Sequence, residues 1–188
     1  PDSDTGTSND DNLTSDTTPT FTGTADADST IEVFAGSSSL GTITADSSGN
    51  WSFTVDSTKA LNDGSYAITS TATDAAGNVS SASDALSISI DTAAPEAPSK
   101  PDLDASSDTG RSNSDNITSI TTPTFTGTAD ADSTIEVFAG SSSLGTITAD
   151  SSGNWSFTVD STKALNDGSY AITSTATDAA GNVSSASD

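Results

Sequence analysis

The chain has 188 residues, 27 acidic against only four basic side chains, and a formal net charge of −23, so it is long enough for one or two domains and has almost nothing with which to hold phosphate. That excludes nucleic acid and an anionic membrane surface as partners and favours cations, or plain solubility. Cysteine, histidine and methionine are all absent, which removes disulfides, thiolate sites and the usual zinc and copper ligands, and leaves oxygen donors of the kind that suit calcium or magnesium.

In chain order, the first feature is a glycine-broken acidic loop, SDTGTSNDDNLT at 3–14, with a short strand expected near Asn12–Ser15. PTFTGTA at 19–25 alternates Phe21 and Gly23 against Thr20, Thr22 and Thr24. TIEVFA at 30–35 offers Ile31 and Val33 to one face, and LGTITA at 40–45 follows. DSSGN at 46–50 reads as a tight hairpin turn with its glycine in a left-handed position. WSFTV at 51–55 points Trp51, Phe53 and Val55 one way and Ser52 and Thr54 the other. SYAITSTATD at 65–74 puts Tyr66, Ile68 and Ala72 on one face, and LSISI at 86–90 alternates cleanly.

No segment sustains a helical period. Short strands at regular spacing over about 90 residues predict an all-β sandwich with a thin core. Low hydrophobicity with high charge can also signal disorder, but period-two alternation this regular argues against it. No apolar run approaches membrane-spanning length. The chain opens in mid-sequence style, without a signal peptide, and is expected to be a fragment of something longer.

The whole pattern then returns. Trp51 recurs as Trp155 and Phe21 as Phe125, a period of 104 residues, and positions 17–84 are identical to 121–188. Between 1–16 and 105–120 six positions differ, while Asp4/Asp108, Gly6/Gly110, Asp11/Asp115 and Asn12/Asn116 do not. Near-identity over a domain-sized period implies recent duplication within a tandem array, a string of beads rather than a solenoid. Pro95, Pro98 and Pro101 fall every third residue, which suits an extended, semi-rigid spacer. The expected organisation is a first repeat over 1–94, a Pro-rich acidic linker over 95–104, and a second repeat over 105–188 without its last strand. Lacking an LSISI segment, the second repeat is expected to expose a sheet edge and part of its core.

The run S-D-T-G-x-S-x-x-D-N-[IL]-T, then TPTFTGTA, then LNDGSYAITSTATDAAGN, closing with IDTAAP, resembles the bacterial immunoglobulin-like repeats of giant calcium-dependent biofilm-associated adhesins of the type I secreted, RTX type. The resemblance implies tandem immunoglobulin-like β-sandwiches of Greek-key type, joined end to end. It implies non-catalytic extender repeats on the bacterial cell surface, stiffened by calcium at domain junctions so that a distal domain is projected from the cell. The implied partners are neighbouring repeats of the same chain, in a monomeric rod with no membrane insertion. The alternative is an adhesive module that binds carbohydrate or ice directly.

Calcium takes six to eight oxygens, at about 2.3–2.6 Å. In the implied topology, one pole of the second repeat would bring together Asp104 and Asp108, the loop ADADS with Asp130 and Asp132, and DAAGN with Asp178 and Asn182. Asp26, Asp28 and Asp74 are the first-repeat counterparts, Asp63 and Asp91 would face the junction from the first repeat, and Asp102 sits in the linker. Asp108-x-Gly110-x-Ser112-x-x-Asp115-Asn116, with Asp4 and Asp11 as counterparts, could be a local calcium loop. It is not an EF-hand, because no bidentate glutamate closes it and no helices flank it. The competing reading is that Asp, Asn, Ser and Gly simply build turns through their own backbone hydrogen bonds.

Thr18, Thr20, Thr22 and Thr24 form a row, repeated at 122–128. It reads either as a flat ligand-binding surface or, preferably, as β-propensity on a solvated face. Phe34 and Phe138 are out of phase with Val33 and Val137 and are the candidates for an exposed contact. Catalysis finds no base or nucleophile among histidine or cysteine, and paired carboxylates for glycoside hydrolysis would not normally be duplicated almost verbatim.

Overall fold

The computed structural model describes residues 3–188, so Pro1 and Asp2, with which the expected first repeat begins, lie outside the described residues. The chain divides into two units at Thr92/Ala93. Both are built from strands. The exceptions are two single-turn 3-10 helices, Ser57–Lys59 and Ser161–Lys163, each opened by an aspartate, Asp56 or Asp160, that accepts the N–H of the second helical residue at 2.8 Å. Among the described residues no helix is long and apolar enough to cross a membrane.

The first unit contains β1 (Leu13–Thr14), β2 (Thr20–Thr24), β3 (Thr30–Ala35), β4 (Ser38–Thr44), β5 (Asn50–Thr54), β6 (Gly64–Thr73) and β7 (Leu86–Ile90). One sheet runs β1-β7-β6-β3-β4 and the other pairs β2 with β5. Strands far apart in sequence are neighbours in space, β3 beside β6 and β2 beside β5, which is the Greek-key type of connection. The alternation read from the sequence decides the faces. Phe21, Ile31, Val33, Phe53, Val55, Ile68, Ile88 and Ile90 are buried together between the sheets, with Trp51, Tyr66 and Ala72 packed at the margin. Each fully buried Ile or Val contributes about 1.5–3 kcal/mol, and there are few of them, so every strand matters to this core.

Two local devices recur in both units. Val33 pairs with Gly41 but Phe34 pairs with Ser39, leaving Leu40 as the extra residue of a bulge. The bulge turns Leu40 into the core, and Gly41 takes the φ of +150° that follows. Gly23 lies directly opposite Trp51, and a Cβ there would stand 2.5 Å from the indole, so the ring occupies the space that glycine leaves.

The second unit contains β8 (Asp102–Leu103), β9 (Thr124–Thr128), β10 (Thr134–Ala139), β11 (Ser142–Thr148), β12 (Asn154–Thr158) and β13 (Ile172–Thr177). Its sheets are β11-β10-β13 and β12-β9-β8. The bounds of β9 to β12 repeat those of β2 to β5, as identical sequence requires. β8 is the difference from the sequence expectation. The segment read as a spacer, 95–104, belongs to the second unit. Asp102 and Leu103 pair antiparallel with Thr126 and Phe125, and Leu103 is a core residue. Ser99 adds an N–H to the Thr128 carbonyl at 2.8 Å and accepts the Thr128 N–H on its hydroxyl at 2.9 Å. The prolines that suggested a spacer also suit an edge strand, where a missing N–H can face away from the ladder.

Candidate metal centre

The acidic loop of each repeat is folded around one aspartate. In the second unit, Asp108 follows a turn in which Ser107 and Asp108 both donate their N–H to the Asp104 carbonyl, at 2.7 and 2.9 Å. The chain then doubles back. Gly110 donates to the Ile117 carbonyl at 3.0 Å, and Thr109 accepts the N–H of Ser119 at 2.9 Å. Asn116 turns the loop with a left-handed φ of +59°, a conformation asparagine tolerates better than most residues. Its side-chain oxygen accepts the N–H of Leu103 at 3.3 Å, which ties the loop to β8. In the sequence, Asn12 and Asn116 are unchanged between the copies, but nothing there signals this tie to β8.

Within this loop the two carboxylates of the proposed motif receive consecutive amides. Asp108 Oδ2 accepts the N–H of Asn116 at 3.1 Å, and Asp115 Oδ1 accepts that of Ile117 at 3.2 Å. Asp4 and Asp11 do the same with Asn12 and Leu13, at 3.2 and 3.0 Å. Asp108 is only 5% exposed. Its second oxygen, Oδ1, is buried with no hydrogen-bond partner, and so is Oδ1 of Asp4. An ionised carboxylate with a buried, unanswered oxygen is costly unless a cation or a proton meets it. A hard, oxygen-seeking cation fits that donor, and the neighbouring carboxylates and carbonyls are of the same chemical type.

The other expected ligands are placed differently. Among the described residues no three acidic side chains form a group able to hold a metal ion. Asp74 is engaged in its own turn: it accepts the N–H of Ala76 and Asn78 at 2.9 and 2.8 Å, and the Asn78 amide at 2.8 Å. Asp178 accepts the Asn182 N–H and side-chain amide, both at 2.9 Å. The side-chain and then backbone hydrogen bonds from Asn78 hold the Asp74 carboxyl below its ordinary pKa. Asp46 and Asp150 close the DSSGN turns in the same way and are lowered chiefly by the backbone N–H of Asn50 and Asn154. Asp104 is lowered by the hydroxyl and then the N–H of Ser106.

Asp26 and Asp28 are exposed at the ADADS turn, where the Asp26 carbonyl accepts from Ser29 at 2.7 Å and Asp28 is left-handed. Asp132 repeats that geometry, and Asp130 accepts the N–H of Glu96 at 3.3 Å. Asp63 accepts the N–H and hydroxyl of Thr92 at 3.1 and 2.8 Å. Asp91 donates its own N–H to the Thr14 carbonyl at 2.9 Å, and Asp102 is exposed on β8. In the threonine row, Thr20 and Thr124 share hydroxyl hydrogen bonds with Thr54 and Thr158, each at 2.8 Å. Phe34 and Phe138 are half-buried.

The sequence profile of a family described as bacterial Ig-like domain matches residues 1–92 and 94–188. No curated protein sequence matches the chain. Among solved structures, the chain is similar to the BSP domain of a biofilm-associated protein at 22% identity and a TM-score of 0.34, covering 94% of this chain and 27% of that one. It is similar to a Ca2+-stabilized adhesin that helps an Antarctic bacterium reach out and bind ice, at 24% identity and a TM-score of 0.46, over 97% of this chain and 46% of that one. A third likeness is to a 1.5-MDa bacterial ice-binding adhesin, at 23% identity and a TM-score of 0.45, over 97% and 59% of the two chains. The chain therefore spans less than two thirds of the length of each of these structures.

Proposed function

Since the chain belongs to the bacterial Ig-like domain family in both of its repeats, we propose that these repeats are non-catalytic extenders of a large bacterial surface adhesin, stiffened by calcium. The observation that carries the calcium part is the buried, unpartnered carboxylate oxygen at Asp108, repeated at Asp4. A divalent ion there would answer a charge that the protein itself leaves unanswered. Asp108 and Asp115 would hold it in the second repeat, and Asp4 and Asp11 in the first. Calcium supplies only cross-linking electrostatics. It would tie the 104–119 loop to the carboxylate that the loop encloses, and so hold the entrance of the domain in one conformation.

Asp26, Asp28, Asp91, Asp102, Asp104, Asp130, Asp132, Asp74 and Asp178 remain proposed contributors to further sites toward neighbouring repeats. An array of such domains, each stiffened at its entrance, would hold a distal binding domain away from the cell. Extracellular fluid supplies calcium at the concentrations that weak extracellular modules require. Export by type I secretion and a biofilm setting follow from the same reading. Small-angle scattering of the 188-residue chain, with calcium and with EDTA, tests it: calcium should narrow the distribution of particle lengths. Superimposable curves would remove the stiffening role.

A further inference from the structure

The loops around Asp4 and Asp108 share one frame and differ in charge. All six sequence differences between 1–84 and 105–188 fall in this part of each copy, within 1–16 and 105–120. Three of those at described residues change the charge, and all in one direction: Thr7 is replaced by Arg111, Asp10 by Ser114 and Asp16 by Ile120. Residues 3–16 therefore carry four carboxylates and no basic group, a net −4, whereas 107–120 carry two carboxylates and one guanidinium, a net −1.

The backbone does not register the exchange. Asn12 and Asn116 turn the chain at φ of +61° and +59°. Thr5 and Thr109 accept the N–H of Ser15 and Ser119, both at 2.9 Å. Ser8 donates its hydroxyl to Asp10 Oδ1 at 2.6 Å, and Ser112 and Ser114 share a hydroxyl hydrogen bond at 2.9 Å in the same place. Asp16 and Ile120 donate their N–H to the hydroxyls of Thr14 and Thr118 at 3.0 and 2.9 Å. Serine thus substitutes for the turn-forming work of Asp10 and removes only its charge.

All three positions lie beside the carboxylates of the candidate site. Position 10/114 directly precedes Asp11 or Asp115. Arg111 directly follows Gly110, where an added Cβ would stand 3.1 Å from Asp115 Oδ1. Position 16/120 follows the serine tied to Thr5 or Thr109, which is the chain neighbour of Asp4 or Asp108. Thr7, Asp10, Arg111 and Ser114 are exposed, and Asp16 and Ile120 half-buried. Neighbouring residues are about 3.8 Å apart along the chain, well within the screening length of about 8 Å at physiological salt. A charge at any of these positions is felt at the site without touching the ion.

We propose that positions 7/111, 10/114 and 16/120 set how tightly each loop holds a divalent cation, and that Arg111, Ser114 and Ile120 set the affinity of the second repeat low. The inference rests on the reading of these loops as calcium sites. The buried, unanswered oxygen of Asp4 or Asp108 is the anchor common to both repeats. The surrounding charge, on which calcium affinity depends, is the part that varies. A tandem array can in this way hold repeats that stiffen at different calcium concentrations while every domain keeps the same fold.

The test uses the full 188-residue chain with Trp51→Phe, so that Trp155 fluorescence reads the second unit. Urea unfolding over a series of calcium concentrations gives the dissociation constant from the onset of stabilisation. Arg111→Thr, Ser114→Asp and Ile120→Asp together should tighten calcium binding by at least about fivefold. The same triple variant should be no more stable than its parent in EDTA, since the added carboxylates then only repel. Ser114→Asn, which adds no charge, should leave the constant within about twofold. Added sodium chloride should narrow the gap between triple variant and parent. Equal affinity of the two, with binding abolished by Asp108→Asn in both, would overturn the proposal and leave the calcium site standing. Tightening that survives Asp108→Asn would also overturn it, because the new carboxylates would then bind calcium by themselves. A second unit that ignores calcium in parent and triple variant alike would remove both readings.

Discussion

Asp108 accepts the backbone N–H of Asn116 at 3.1 Å through one carboxylate oxygen and buries the other without a partner. Asp4 stands in the same relation to Asn12, at 3.2 Å. The amide bond explains how the loop closes. It does not explain why the residue is a full carboxylate, since an asparagine oxygen would accept that bond as well. The extra charge is a cost in the absence of a cation and a benefit in its presence. Asp108→Asn should therefore change stability by less than about 1 kcal/mol in EDTA. In millimolar calcium it should lose the gain of about 1–1.5 kcal/mol that one weak extracellular site confers. Denaturant unfolding of both proteins in both buffers separates the terms. Equal losses in the two buffers would mean that Asp108 serves the loop alone.

Leu103 distinguishes a strand from a spacer. It is 6% exposed and sits in the core cluster of the second unit. Leu103→Ala should cost that unit about 2–5 kcal/mol, as core leucine truncations do. A residue in a free linker would change stability by less than about 0.5 kcal/mol. Urea melts followed by Trp155 fluorescence in a Trp51→Phe background read the second unit selectively.

Gly127 tests the indole packing. A Cβ added there would meet Trp155 Cζ2 at 2.5 Å and the Ser99 hydroxyl at 2.9 Å, and Trp155 is 3% exposed. The ring has to move, so Gly127→Ala should destabilise by about 1–3 kcal/mol and shift Trp155 emission to the red. An unchanged spectrum would show that the ring has room to spare.

Much of the first unit was legible before the structure. β2, β3, β5 and β7 fall within a residue or two of their predicted bounds, because alternation of Phe21, Ile31, Val33, Phe53 and Ile88 against Thr and Ser admits one period. The 3-10 turns at Ser57 and Ser161 left no signal, being too short to show a period. β8 was missed because a two-residue strand cannot alternate and the prolines before it read as a spacer. At the candidate site, the spacing of Asp108 and Asp115 pointed to the loop in which Asp108 is buried. Which of its carboxylates is buried depends on how Asn116 turns the chain back, and that is a property of the fold.

Acid should weaken the turns. Asp46, Asp56, Asp74, Asp104, Asp150 and Asp160 all sit below the ordinary aspartate pKa because hydrogen bonds from Asn50, Thr58, Asn78, Ser106, Asn154 and Thr162 favour the ionised form. A folded-state pKa below the unfolded one contributes stability at neutral pH. That contribution is complete above the unfolded value and is lost as pH falls through the folded one. Thermal stability in EDTA should thus decline below about pH 4. Melting curves at half-unit intervals from neutral to acid check this, and a midpoint that holds steady into strong acid would contradict it.

Differential scanning calorimetry of the 188-residue chain tests the proposed binding of calcium at these loops most directly. Passing from EDTA to millimolar calcium should raise the melting midpoint by about 4–10 °C. The same step should leave the Asp4→Asn, Asp108→Asn double variant nearly unmoved. A wild-type midpoint that ignores calcium, or a double variant that responds as fully as the wild type, would contradict the account.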